Sequence, residues 1–249
     1  MANSTALDIA NMFSDSFETV VAIETFDKAV LQATGLSSNK IICEICLFFH
    51  LAHDVIATRR SLLAKVERFI TESREYVLDS KTMSYIERFP AGVHLVGLIL
   101  LCSNTYNLKS QRLELLEQAI RSPAYLCAER LPFRYQESVW LYEQITSQAL
   151  HDQNCRSALL SRITHPSVLS RNDLYAKTHT VMYETNFGRR YISEPYDNSA
   201  IKLSMCHDLN LSFCNADWDL VGEICMANRF LGNFYLPSAQ CLLIRSLIE

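Results

Sequence analysis

Residues 171–190 read RNDLYAKTHTVMYETNFGRR, a stretch with the start, the stop and the period of one helix. Asn172 or Asp173 offers a side-chain oxygen to the orphan amides of a helix N-terminus. Gly188 supplies a C-terminal stop, and Arg189 with Arg190 suits the negative end of the helix dipole. Tyr175, His179 and Tyr183 recur every four residues and so share one helical face. An imidazole between two phenols suits general acid or base work near neutral pH. Thr178 and Thr185 add hydroxyls. The plainer alternative is two core tyrosines and a histidine bonded to a backbone carbonyl.

Outward from this stretch the chain reads as helix throughout. Only six Gly and six Pro occur in 249 residues, while 49% of residues are hydrophobic and 20% charged. Both scarce types break helices, and the apolar share builds a sizeable core. Short helices are expected at Ser4–Phe13 and at Lys81–Phe89, the latter stopped by Pro90. Others are expected over Phe17–Thr34, Arg134–Leu150, Gln153–Ile163, Ala216–Phe230 and Pro237–Ile248. A periodic stretch from Asn39 to about Glu75 exceeds most globular helices, which predicts a break near 58–61. Its first half, Ile41–Ile56, is apolar nearly all round, and its second, Leu62–Tyr76, is amphipathic. Gly92–Thr105 and Ser110–Arg121 repeat that alternation. The pattern predicts an all-α fold of helical hairpins curled into a partial α/α toroid or solenoid-like bundle. A single all-helical domain over 1–249 is expected. A globin-like or irregular bundle is the alternative. Tyr191–Ala200 reads as the longest loop, and the best strand candidate, Asn233–Leu236, is short.

The net charge of -4 carries no basic footprint, so no nucleic-acid partner is expected. The N-terminus lacks the basic start and apolar run of a signal peptide. The most apolar stretch, Val93–Cys102, falls far short of the roughly 20 residues that cross a bilayer. A cytoplasmic protein without membrane contact is expected. Nine cysteines, an odd number in mostly apolar surroundings, read as reduced core residues. The lone pair Cys43 and Cys46 in C-x-x-C spacing has no second pair to complete a zinc site. Phosphate-cradling glycine motifs, G-x-S-x-G and H-E-x-x-H are all missing, so no cofactor is expected.

Two further constellations bear on chemistry. Asn215, Asp219 and Glu223 are spaced by four and would line one helical face, as oxygen ligands for Mg²⁺ do. The spacing resembles the second metal motif of terpene cyclases. Asp219 stands where that motif has a hydroxyl residue, and no Asp-Asp-x-x-Asp partner is present, so no metal is expected. Helix capping and the helix dipole explain the same residues. On Ile41–Ile56, His50 and Asp54 share a face, while Glu44 lies about 180° from His53, counting 100° per residue. Buried polar groups of this kind line a cavity or form a satisfied network. Cys206-His207-Asp208 are neighbours in sequence and do not face one another, and His94 reads as a core histidine.

The pattern Thr178-His179-x-x-x-Tyr183-x-Thr185-x-Phe187-Gly188 resembles an uncharacterised family of helical bacterial proteins, some near biosynthetic gene sets. The resemblance implies a biosynthetic setting and weight on His179, and no mechanism. Together with the residues it points to a small-molecule enzyme using acid–base chemistry of isomerase, lyase, cyclase or hydrolase type, in an apolar pocket between helices. His179 is the proton shuttle, with Tyr183, Asp219 and Glu223 as its catalytic partners. Tyr175, Thr178, His50 and Glu44 are the candidate substrate contacts. The expected ligand is a small apolar molecule or a carrier-linked intermediate, and the hydrophobic content allows a homodimer. The competing expectation is a non-catalytic helical-repeat protein that binds a peptide or protein partner.

Overall fold

A computed structural model describes residues 38–150, 168–192 and 198–232 of the chain. Among these residues the fold is all-helical: eleven α-helices, one 3-10 helix and no strand. The helices expected at 4–13, 17–34, 153–163 and 237–248, and the strand candidate at 233–236, lie outside the described residues. No described helix is long and apolar enough to cross a membrane. The chain divides into two compact units. One spans residues 1–128 with 144–148, and the other residues 129–143 with 149–249.

In the first unit the periodic stretch from Asn39 breaks twice. Helix α1 (Ser38–Leu51) is followed by a single turn, α2 (His53–Ile56), and then by α3 (Arg60–Val77). Arg59, with φ -121° and ψ 93°, takes the chain out of helical geometry between α2 and α3. Helix α4 (Ser80–Arg88) starts where the Asp79 carboxylate accepts from Thr82 N. It stops before Pro90, because a residue preceding proline is pushed out of helical geometry. Phe89 sits at φ -133° and ψ 76°. The apolar run that follows is not one helix. Pro90–Leu95 is 3-10, and α5 (Gly97–Thr105) begins only after Val96. Helix α6 (Gln111–Arg121) is capped by Ser110 and buries Leu113, Leu116 and Ile120, one apolar stripe. A single turn, α7 (Pro123–Leu126), follows. The two apolar helices, α1 and α5, pack on each other, and α4, α6 and α7 cover the 3-10 segment.

The second unit contains most of α8 (Pro132–Thr146) together with α9 (Arg171–Glu184), α10 (Asn198–Cys214) and α11 (Trp218–Phe230). Its core joins Leu174 and Val181 of α9, Ile201, Met205 and Leu209 of α10, and Leu220, Ile224 and Ala227 of α11. Helix α9 starts earlier than Asn172 or Asp173. Ser170 is its N-cap, and Asp173 closes a reciprocal capping box. Just past its end the chain turns left-handed: Asn186, Phe187 and Gly188 have φ of 46°, 53° and 80°. Asn186 is tied to α8 by Trp140 Nε1, which donates to its side-chain oxygen at 2.8 Å. Helix α10 occupies residues that carried no helical expectation, and its first turn falls inside the loop expected at 191–200.

Candidate functional site

Helix α9 places its three rings as the four-residue spacing requires. The His179 ring lies 6.0 Å from Tyr175 at 27° and 6.2 Å from Tyr183 at 16°, between centroids. Phe133 of α8 adds a fourth ring, 6.3 Å from His179 and 12° from parallel. Beyond Tyr183 the wall continues through Trp140 at 5.5 Å and Phe187 at 5.8 Å. His179 is thus held by flat apolar faces, with 28% of its side chain open to solvent.

Helix α11 brings the carboxylates. Glu223 Oε1 lies 3.8 Å from His179 Nε2, outside hydrogen-bond range and inside ion-pair range once the imidazole is protonated. The other oxygen of Glu223 accepts from Thr178 Oγ1 at 2.7 Å. Thr178 is fully buried, so it acts on the carboxylate and is out of reach of a ligand in solvent. One turn earlier, the Tyr175 hydroxyl donates to Asp219 Oδ2. Arg171 closes the rim. Its Nε donates to Asp217 Oδ2 at 2.6 Å and its Nη2 to Asp217 Oδ1 at 3.1 Å. The guanidinium stands 4.7 Å over the Tyr175 ring, with Nη2 3.4 Å from Asp219.

These surroundings set protonation states. Arg171, by hydrogen bonding, holds the Asp217 carboxyl below the usual carboxylate range. The Tyr175 phenol is pushed up, first by burial and then by the hydrogen bond to Asp219. The Tyr183 phenol is pushed up as well, by burial and then by the charge of Glu137. Both phenols therefore keep their protons at neutral pH. The Tyr175 proton is committed to Asp219, and neither phenol can serve as a base. The base at this site is left to the imidazole and the Glu223 carboxylate.

A model of the family described as a domain of unknown function (DUF6895) matches residues 26–247. The chain belongs to the DUF6895 family. No curated protein and no solved structure matches it. The match runs through both units, so every residue of this site lies inside the DUF6895 domain.

Of the candidate residues in the DUF6895 chain, six fall in the second unit: Tyr175, Thr178, His179, Tyr183, Asp219 and Glu223. His50 and Glu44 belong to the first. There the His50 ring Nδ1 is 2.7 Å from Thr105 Oγ1. Glu44 is 59% exposed and pairs with Lys40 at 3.5 Å. The break after Leu51 takes Asp54 off the helix that carries His50. Asp54 is 95% exposed, beside His53 at 3.6 Å. His94 Nδ1 meets Ala91 O at 2.9 Å, a local backbone contact. Cys43, Cys46 and Cys102 are buried free thiols, and burial pushes the Cys43 thiol up. Asn215 lies in the turn before α11, which is capped by Asp217, so it does not share a helical face with Asp219 and Glu223. Among the described residues no group of three or more His, Cys, Asp or Glu is arranged to hold a metal ion.

Sequence reasoning passed over Lys177. Its ammonium reaches Ser204 Oγ and Asp208 Oδ2 of α10, each at 2.5 Å. The two charged side chains are 3% and 1% exposed. Burial pushes the Asp208 carboxyl up and outweighs the pull of Lys177. A signal was present. Leu174, Lys177 and Val181 fall on one helical stripe at i, i+3 and i+7, and Ile201, Ser204, Met205 and Asp208 form another. A lysine inside an apolar stripe requires a buried counter-charge.

Proposed function

We propose that this DUF6895 protein is a small-molecule biosynthetic enzyme that works by acid–base chemistry of isomerase, lyase, cyclase or hydrolase type, with His179 as its proton shuttle. The supporting observation is the His179–Glu223 pair at 3.8 Å within a wall of near-parallel rings. Neutral His179 takes a proton from the substrate, and the Glu223 carboxylate offsets the charge of the imidazolium that forms. Such a positioned base contributes about 10²–10⁴-fold to a proton transfer. Tyr175, its hydroxyl held by Asp219, stacks against the imidazole and fixes the plane of its ring. Thr178 holds Glu223, and Tyr183 orders the ring wall from behind.

The ligand of this reading is a small, fairly apolar molecule or a carrier-linked intermediate, handled in the cytoplasm and without a nucleotide cofactor. A homodimer is compatible with it. The curl of helical hairpins into a partial toroid belongs to the same reading, and rests on the alternation of apolar and amphipathic segments in the sequence.

A second reading, a non-catalytic protein that binds a peptide or protein partner, is favoured by the outer face of α11. Trp218 and Met226 are each 48% exposed there and flank Gly222 at four-residue spacing. That is the anchor pattern of a helix that docks in a groove.

The deciding experiment incubates small-molecule extract with the full chain in D₂O and follows masses. The enzyme reading expects at least one compound to gain solvent deuterium or change structure with the wild-type protein, and not with His179→Ala. If wild type and His179→Ala leave the same extract, the reading fails.

A further inference from the structure

We infer that Glu137 is a positioning residue of the His179 site, acting through the Tyr183 hydroxyl. This deepens the acid–base reading above and rests on it for the role of His179. The first observation is where α8 places its side chains. Phe133, Glu137 and Trp140 recur at i, i+4 and i+7, one stripe of a helix. Phe133 lies 6.3 Å from the His179 ring and 12° from parallel, and Trp140 lies 5.5 Å from Tyr183. In the stripe between them, Glu137 accepts from the Tyr183 hydroxyl.

The second observation is that Glu137 is itself held. Arg134 Nη1 donates to Glu137 Oε2 at 2.7 Å, and the Glu137 side chain is 15% exposed. The same guanidinium stands 4.9 Å over the Phe133 ring. Arg134 therefore joins the ring that faces His179 to the carboxylate that holds Tyr183. Charge-assisted hydrogen bonds are short and strong, and they fix orientation. Tyr183 is buried, so its phenol has to find an acceptor inside the protein.

The third observation is that the other flank of His179 is built alike. The Tyr175 hydroxyl donates to Asp219, and Arg171 Nη2 reaches that carboxylate at 3.4 Å. Each phenol beside the imidazole thus gives its proton to a carboxylate that an arginine contacts. The Arg171 end is open to water, with Asp219 73% exposed. The Glu137 end is closed. A change there is carried to the Tyr183 ring and from it to His179, 6.2 Å away at 16°. A misplacement of about 1 Å at a reacting group can cost about 100-fold in rate.

Nuclear magnetic resonance of the full chain with ¹³C-labelled histidine tests this, the His179 Cε1–Hε1 signal being identified by its loss in His179→Ala. Glu137→Ala and Tyr183→Phe, each checked for a folded chain by circular dichroism, are expected to move that signal. The double variant is expected to move it no further than the larger single change, because both act through one contact. That double variant strands no buried hydroxyl, so it keeps the test open if Glu137→Ala alone does not fold: its signal should match that of Tyr183→Phe. Glu137→Gln keeps an oxygen that accepts from the phenol and is expected to return the signal to near its wild-type place. His179-dependent deuterium gain is expected to fall about tenfold in Glu137→Ala and to recover in Glu137→Gln. A signal unmoved in Glu137→Ala, shifts that add in the double variant, or Glu137→Gln no better than Glu137→Ala would overturn the inference. The two readings fail separately, because the resonance is read without turnover. Wild type that gives no deuterium gain sinks the enzyme and leaves the Glu137 contact standing. A gain that Glu137→Ala keeps in full sinks the inference and leaves the enzyme.

Discussion

Lys177 Nζ lies 2.5 Å from Asp208 Oδ2, with both side chains closed off from solvent. The pair ties α9 to α10 on the side of α9 away from its ring wall, since Lys177 and His179 are about 200° apart around the helix. Two opposite faces of one helix are therefore pinned by polar contacts. Lys177 holds one face to α10, and Thr178 with Tyr175 holds the other to α11.

Breaking that pair on one side strands a buried charge. Lys177→Met or Asp208→Leu alone is expected to destabilise the protein by about 3–5 kcal/mol, whereas the double variant recovers most of the loss. Urea unfolding of the four proteins measures the coupling. Additive single effects would show that the ion pair contributes nothing specific.

Acid removes stability that the carboxylates around the start of α9 supply. The folded-state pKa of Asp217 is lowered from its ordinary 3.8, chiefly by the hydrogen bond from Arg171. Asp173, in the capping box of α9, is lowered by Ser170. A depressed folded pKa means that the unfolded chain binds more protons in that window. Stability from both groups is therefore present above 3.8 and is lost as pH falls through the folded values. Melting curves between pH 2.5 and about 6 should show this acid loss, and Asp217→Asn should flatten it. Both carboxylates are close to solvent, so added salt should shrink the effect of Asp217.

Gly188 has two reasons to be glycine. Its φ is 80°, and a Cβ there would meet Phe230 Cδ1 at 2.8 Å. Gly188→Ala is expected to cost about 1–3 kcal/mol, from backbone strain and a displaced ring. Because Phe230 packs on Phe187, and Phe187 on Tyr183, near-ultraviolet circular dichroism should change along with the melting temperature. A melt identical to wild type would show that the turn relaxes freely.

Thr178 acts through Glu223. Thr178→Val keeps the volume and removes the hydroxyl that donates at 2.7 Å. A hydrogen bond to a charged group is worth about 1.5–3 kcal/mol, so His179-dependent deuterium exchange should slow roughly 10–100-fold. Thr178→Ser should restore the rate, and the pH–rate profile of Thr178→Val should move because the carboxylate is no longer held. A rate loss that serine does not rescue would assign Thr178 to packing alone.

Local chemistry in the sequence settled the helical class, the ring register of α9 and the proline stop after α4. Those features depend on neighbours within four residues. Cap identity was less legible. Asn172 and Asp173 compete with Ser170 as starts, and only the reciprocal Ser170–Asp173 contact decides between them. Helix α10 escaped because its stripe mixes Ile201, Met205 and Leu209 with Ser204 and Asp208, while Leu203 faces outward at 54% exposure. Its apolar period is diluted until the partner of Asp208 is known. The breaks at Ala52 and Val96 were equally hidden, since apolar residues continue through both.

Tertiary structure alone decided the partners. His179, Thr178 and Glu223 are 44 and 45 positions apart, and Lys177 and Asp208 are 31 apart. Spacing along one helix shows which face a residue takes, but not which helix that face meets. The 171–190 stretch thus determined by itself that Tyr175, His179 and Tyr183 would align. That Glu223 answers His179, and that Lys177 lies buried behind it, followed only when α10 and α11 folded back on α9, because burial and ion pairing are properties of packed surfaces and not of sequence period.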